Sequence, residues 1–225
     1  MDEDIDIMAD AEVAATLREF ERVLTAPLAD LVSAKGRACA DPGRIRRWRL
    51  PRADRDALLA FGLPTRDDGQ SEVDFRDAVP GGPGFPGRDL YGLLRFRGGG
   101  QVVAEAGTGA VRLVPGPVEP PPGHPESWTH NPGVLGILRR HDLGFPLIPV
   151  SLVNSSVSLF VDMCWRFERA AEALRKLPTA TADPFEVACA HELFDRLDVL
   201  VEFVRSVDPP AAEDGAYWPE VIEGW

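Results

Sequence analysis

The chain has 225 residues, of which 44% are hydrophobic and 27% are charged, a balance that is near the globular average and requires neither a wholly disordered nor a fibrous protein. Its 24 basic and 36 acidic residues give a formal net charge of −12. This charge disfavours direct contact with nucleic acid or an anionic membrane and favours a basic partner. No stretch approaches the roughly 18 uncharged apolar residues of a membrane span.

The N-terminal part of the sequence is acidic and has a helical pattern. Residues 1–12 contain six Asp or Glu and no Lys or Arg, unlike the basic start of a secretory signal, so we expect a cytoplasmic protein. Across residues 10–32, apolar side chains recur every three or four positions. The pattern predicts one long helix or two short ones, kinked or separated at Pro27.

A connector is predicted at residues 33–49, which lack a firm period and contain several Gly and Pro residues. We therefore expect an acidic helical extension and connector at 1–47, ahead of a domain at 48–225. Residues 35–55 hold eight basic side chains and only two acidic ones. This basic run is interpreted as a solvated surface around a helix start, with RNA contact as the alternative.

A short helix and a long loop are predicted next. Residues 50–64 begin with Pro and Asp, continue with apolar residues and end in Gly and Pro, which are helix start and stop signals. Residues 65–88 are rich in Gly, Pro and Asp and predict an irregular loop. The acidic side chains of this loop are Asp67, Asp68, Glu72, Asp74 and Asp77.

Three short runs typical of strands follow, at 91–97, 101–106 and 111–114. Because Gly-rich turns separate them, they predict an antiparallel β-meander. Residues 115–149 are rich in Pro and hold three of the four histidines; we interpret them as an insertion or a long connection. A further extended run is predicted at 147–153.

Two amphipathic helices are predicted in the C-terminal third, at about 157–176 and from residue 183 to Asp208. Ser155 and Ser156 are interpreted as caps of the first helix. Asp183 and Glu186 around Pro184 predict a capping box for the second.

No pattern of catalytic, metal-binding or cofactor-binding residues is present. His124 and His130 lie in the Pro-rich stretch without a ligand spacing, and His191 has no second His four positions on. The cysteines, which also lack a metal-ligand spacing, are expected to be reduced and structural; they are Cys39, Cys164 and Cys189. We expect no enzyme activity, metal or cofactor.

The order of several motifs resembles one known family. The first motif is a helix that starts at Leu50 and Pro51 and ends in Phe61, Gly62, Leu63 and Pro64. Gly-rich hairpins follow, and then Asn154, Ser155 and Ser156 precede a long helix. Two pairs close the sequence, Asp208 with Pro209 and Trp218 with Pro219. Over residues 48–225 it resembles the SUKH superfamily, specifically its fourth immunity-protein family, which is common in actinobacteria. The segments 1–47 and 115–149 are longer than expected for the minimal domain of this family. Either segment is a candidate for a derived role, such as a specialised partner contact.

The resemblance implies an α+β fold in which a curved, mainly antiparallel sheet is flanked by amphipathic helices, with the helical extension at its N-terminus. It also implies a non-catalytic protein that neutralises a cognate toxin by stoichiometric binding. Such toxins are often nucleases or nucleic-acid deaminases and are encoded beside the antidote. The alternative is a regulatory or scaffolding subunit of a bacterial defence or signalling complex.

Candidate contacts with the partner are acidic or aromatic. The acidic side chains of the predicted loop, Asp67, Asp68, Glu72, Asp74 and Asp77, are candidates for mimicking nucleic-acid charge toward a basic toxin, and a merely solvated loop is the alternative. Trp225 is the aromatic candidate. Trp218 is expected to pack in the core.

Overall fold

The computed structural model describes residues 2–65, 71–79, 89–97, 100–114, 151–177, 184–213 and 216–223. The helices are α1 (Asp2–Thr25), α2 (Leu28–Leu31), α3 (Pro42–Arg47), α4 (Arg52–Phe61), α5 (Val157–Leu174), α6 (Pro184–Val207) and α7 (Tyr217–Glu223). The strands are β1 (Arg37–Ala38), β2 (Leu63–Pro64), β3 (Ser71–Val79), β4 (Leu90–Phe96), β5 (Gln101–Glu105), β6 (Val111–Val114) and β7 (Ser151–Asn154). A short 3₁₀ helix, Pro209–Ala212, joins α6 to α7.

The strands form an antiparallel five-stranded sheet in the order β3-β4-β5-β6-β7, and β1 pairs with β2. Together with the helices this gives an α+β protein, so the predicted fold class is confirmed. The meander predicted at 91–97, 101–106 and 111–114 corresponds to β4, β5 and β6. The predicted insertion at 115–149 lies outside the described residues.

The irregular loop predicted at 65–88 is wrong for residues 71–79, which form β3. Val73 pairs with Leu94 of β4, and Ser71 pairs with Phe96. Asp and Glu disfavour strands on average, but Val73 and Phe75 alternate with polar residues and pack against the core. Pairing with β4 therefore outweighs the local composition.

Helix α5 lies at the centre of the core. Its apolar face includes the fully buried Phe160 and the almost fully buried Trp165, whose indole donates a hydrogen bond to the carbonyl of Gly62 at 3.3 Å. Trp218 packs between Phe160 and Phe167, with ring centroids 6.5 and 5.9 Å away. The prediction that Trp218 belongs to the core is confirmed.

The N-terminal helices share this core. Pro27 separates α1 from α2 as predicted, and Phe20, Val23 and Leu31 are fully buried in the same hydrophobic cluster as α5. The predicted boundary between residues 47 and 48 stays a prediction. Buried side chains on both sides of it belong to one cluster.

Arg166 of α5 ties α1 to the core. Its guanidinium donates hydrogen bonds to the carbonyls of Val23 and Ala26, the latter at 3.1 Å, and forms an ion pair with Asp162 at 2.9 Å. The carbonyls at a helix C-terminus have no partner within the helix. Arg166 satisfies two such groups at the end of α1.

We predict that Arg166→Met lowers the free energy of unfolding by about 2–4 kcal/mol, because it leaves two carbonyls and the Asp162 carboxylate without their donor. The matched control is Arg18→Met on the exposed face of α1, which should change stability by less than about 0.5 kcal/mol. Urea unfolding measures both variants. Equal effects would contradict the anchoring role of Arg166.

Candidate partner-binding surface

Three of the acidic residues predicted to contact a partner lie on β3, at the edge of the sheet. The side chains of Glu72 and Asp77 are 68% and 52% exposed, and that of Asp74 is 21% exposed. Among the described strands, none pairs with the outer edge of β3. The remaining candidates, Asp67, Asp68 and Trp225, lie outside the described residues.

Arginine side chains face the acids of β3. Glu72 accepts a hydrogen bond from Arg95 of β4 at 2.8 Å, which raises the pKa of Arg95 above its usual value. Asp74 forms ion pairs with Arg76 at 2.7 Å and with Arg95 at 3.8 Å. This part of the surface carries matched charges.

Asp77 has a structural contact as well as an exposed position. It accepts a hydrogen bond from the Trp48 indole, and the guanidinium of Arg44 lies 3.8 Å away. Trp48 stacks on Tyr91 with ring centroids 4.7 Å apart. Asp77 therefore helps to fix α3 and the following segment on the sheet, and the role of the β3 acids in partner binding stays a prediction.

The motif residues that carry the family resemblance meet inside the protein. The carboxylate of Asp208 accepts hydrogen bonds from the Asn154 amide at 2.9 Å, the Ser155 backbone N–H at 2.8 Å and the Ser155 hydroxyl at 2.6 Å. The Asn154 carbonyl oxygen accepts a hydrogen bond from the Trp218 indole at 2.9 Å. Asn154 and Asp208 are only 0% and 2% exposed, so this network is structural.

Ser156 and a distant aspartate cap the N-terminus of α5. The Ser156 hydroxyl accepts from the Leu159 N–H at 3.2 Å, as predicted, and Asp54 of α4 accepts from the Ser158 N–H at 2.9 Å. The cap predicted for Ser155 is wrong, because its hydroxyl donates to Asp208. The backbone of Gly109, with φ of +74°, lies so close to Asp54 that a Cβ at this position would overlap the Asp54 carboxylate.

A comparison with known families decides the assignment. A family model described as SUKH-4 immunity protein matches residues 23–224. The chain belongs to this family. No curated protein and no solved structure matches it. The matched region includes α2 and α3, which precede residue 48, and the family supports a role in toxin immunity.

In this SUKH-4 protein, the basic run at 35–55 divides between structural and exposed side chains. Arg37 donates to the carbonyl of Ala60 at 2.8 Å, and Arg55 donates to that of Leu50. Arg46 and Arg47 of α3 are exposed. The exposed arginines agree with the solvated surface that was favoured, and RNA contact remains untested.

The described residues contain no group of three or more His, Cys, Asp or Glu placed to hold a metal ion. In the same part of the chain, every helix is too short or too polar to cross a membrane. Cys39 is an exposed free thiol, and Cys164 is half-buried.

We predict that Asp208→Asn lowers the free energy of unfolding by about 2–4 kcal/mol, because an amide at this position places its own donors against those of Asn154 and Ser155. Asp198→Asn makes the same chemical change at an exposed position and should be close to neutral. Thermal and urea unfolding compare the two variants. A stable Asp208→Asn protein would show that the network contributes little.

Proposed function

We propose that this protein neutralises a cognate toxin protein by binding it in a stoichiometric complex, without catalysis. The match to the SUKH-4 immunity protein family over residues 23–224 carries the proposal. Occlusion of a toxin requires a stable, complementary surface and no reactive group on the inhibitor.

The internal use of the motif's polar groups supports binding over catalysis. A catalytic acid, base or nucleophile must reach a substrate atom within hydrogen-bond distance. Asn154 and Asp208 are buried, and their hydrogen bonds go to Ser155, to Trp218 and to each other. These polar residues therefore hold the fold together and leave recognition to the surface.

The net charge of −12 supports a basic toxin, such as a nuclease or a nucleic-acid deaminase. Enzymes that act on nucleic acids present basic surfaces to the phosphate backbone. An acidic inhibitor is attracted to such a surface before contact, which raises the association rate. Affinity then depends on the apolar and hydrogen-bonded contacts formed in the complex.

We predict that this protein restores growth to cells that express the toxin domain encoded beside its gene, and that the two proteins elute from gel filtration as an equimolar complex. Association should slow markedly as salt rises, because ions screen the attraction. Stopped-flow or biosensor kinetics measure this dependence. Continued toxicity and no complex would refute the immunity proposal, whereas a salt-insensitive association rate would refute only the steering.

One observation favours the second candidate, a regulatory or scaffolding subunit. Most of α1 precedes the region matched to the family, which begins at residue 23. An additional helix outside the shared domain offers a site for joining a larger assembly. Deleting residues 1–47 would not distinguish the two functions, because it also removes the core residues Phe20, Leu31 and Ile45 and so disturbs folding.

We predict that deletion of residues 2–10 leaves both folding and toxin neutralisation intact, since the deletion retains Phe20 and Val23. Circular dichroism and the growth assay measure the two properties. The 1–47 deletion serves as the comparison and should fail to fold. If the short deletion folds but no longer protects cells, the start of α1 takes part in recognition.

A further inference from the structure

The described residues with large, exposed hydrophobic side chains all lie on one helix. They are Phe194, Val199 and Val207 of α6, and Phe194 is 63% exposed. Isolated apolar residues are common on protein surfaces, but Phe194 is a large aromatic side chain with more than half of its surface exposed. Phe is among the residues enriched in the buried centres of interfaces.

Acidic side chains lie close to Phe194 on the outward side of α6. Asp195, Asp198 and Glu202 are exposed, and their spacing of three or four residues places them on the same side of the helix. Glu202 pairs with Arg205. Asp195 and Asp198 form no ion pair with any other described residue, which leaves their charge available to a partner.

This surface differs from the edge strand β3 in its charge balance. Each described acid of β3 lies next to an arginine, as shown above for Glu72 with Arg95. Residues 184–225, by contrast, contain ten acidic and two basic side chains, which is −8 of the total −12. The C-terminal segment that includes α6 therefore carries one of the two acidic excesses of the chain, the other being residues 1–12 with six acidic and no basic side chains.

The inner side of helix α6 is packed in the core, which gives its outward residues a defined arrangement. Leu197, Leu200 and Val204 on its inner side are buried in the main core. Its C-terminus is fixed by Asp208, whose N–H donates to the Val204 carbonyl at 2.8 Å while its side chain binds Asn154 and Ser155. A pre-organised surface loses little conformational entropy on binding.

We propose that the outward face of α6, with Phe194 as apolar anchor and Asp195 and Asp198 as charged flank, is the surface that binds the toxin. The inference rests on the proposed immunity function and deepens it. The partner surface that fits is basic, with an apolar depression for the Phe194 ring. Charge complementarity determines the approach, and burial of the ring determines the lifetime of the complex.

The test measures binding kinetics between the full-length protein and the toxin domain encoded beside its gene. Phe194→Ala should raise the dissociation constant at least about tenfold, mainly through faster dissociation. Asp198→Lys should slow association about fivefold at low ionic strength and much less at high ionic strength. Asp56→Lys on α4 is the matched control, because it makes the same Asp-to-Lys change at an exposed site that is not a candidate contact, and it should alter the rate less than about twofold.

Hydrogen exchange of the wild-type complex gives a second readout that needs no variant. Backbone amides of α6 near Phe194 and Asp198 should exchange more slowly when the toxin binds. If the wild-type protein binds but the α6 variants keep its kinetics and α6 gains no protection, the α6 surface is wrong and the immunity function stands. If the wild-type protein neither binds nor protects cells, both proposals fail.

Discussion

The buried carboxylate of Asp208 fixes three parts of the fold at one point. It accepts three hydrogen bonds from Asn154 and Ser155, where β7 passes into α5, and Asn154 in turn accepts from Trp218 of α7. The backbone of Asp208 meanwhile closes the last turn of α6. Because a buried carboxylate is stable only when its acceptors are satisfied, the sheet edge and the C-terminal helices must adopt their positions together.

A second set of buried charges joins α5 to two other helices. Asp54 of α4 caps the N-terminus of α5 through Ser158, while Arg166 near its middle donates to the carbonyls that end α1. Each of these contacts joins elements far apart in the sequence. The charged residues inside the protein therefore fix the arrangement of helices around the sheet, and the charge available for recognition lies outside it.

Local sequence patterns are sufficient to predict α4, α5 and β4 to β6, because the apolar periods and turn residues of these elements agree with their tertiary environment. They were insufficient for β3, whose Asp residues conceal the alternation of Val73 and Phe75. The bond between Ser155 and Asp208 spans 53 residues, so no local rule predicts it. Glu72 and Asp74 are candidate contacts because the sequence around them is acidic. The arginine that pairs with both, Arg95, lies on the neighbouring strand, so the local sequence does not show that their charges are matched.

The separation of interior and surface roles has a thermodynamic consequence for an inhibitor. Replacing Asp208 or Arg166 leaves buried polar groups without partners, which costs a large part of the stability of a small domain. Exposed residues such as Phe194 and Asp198 make few contacts in the free protein, so changing them alters stability little while changing what the surface can bind. The interactions that hold α6 in place are independent of the residues that it exposes, so the proposed binding surface on α6 can change in sequence without loss of the fold.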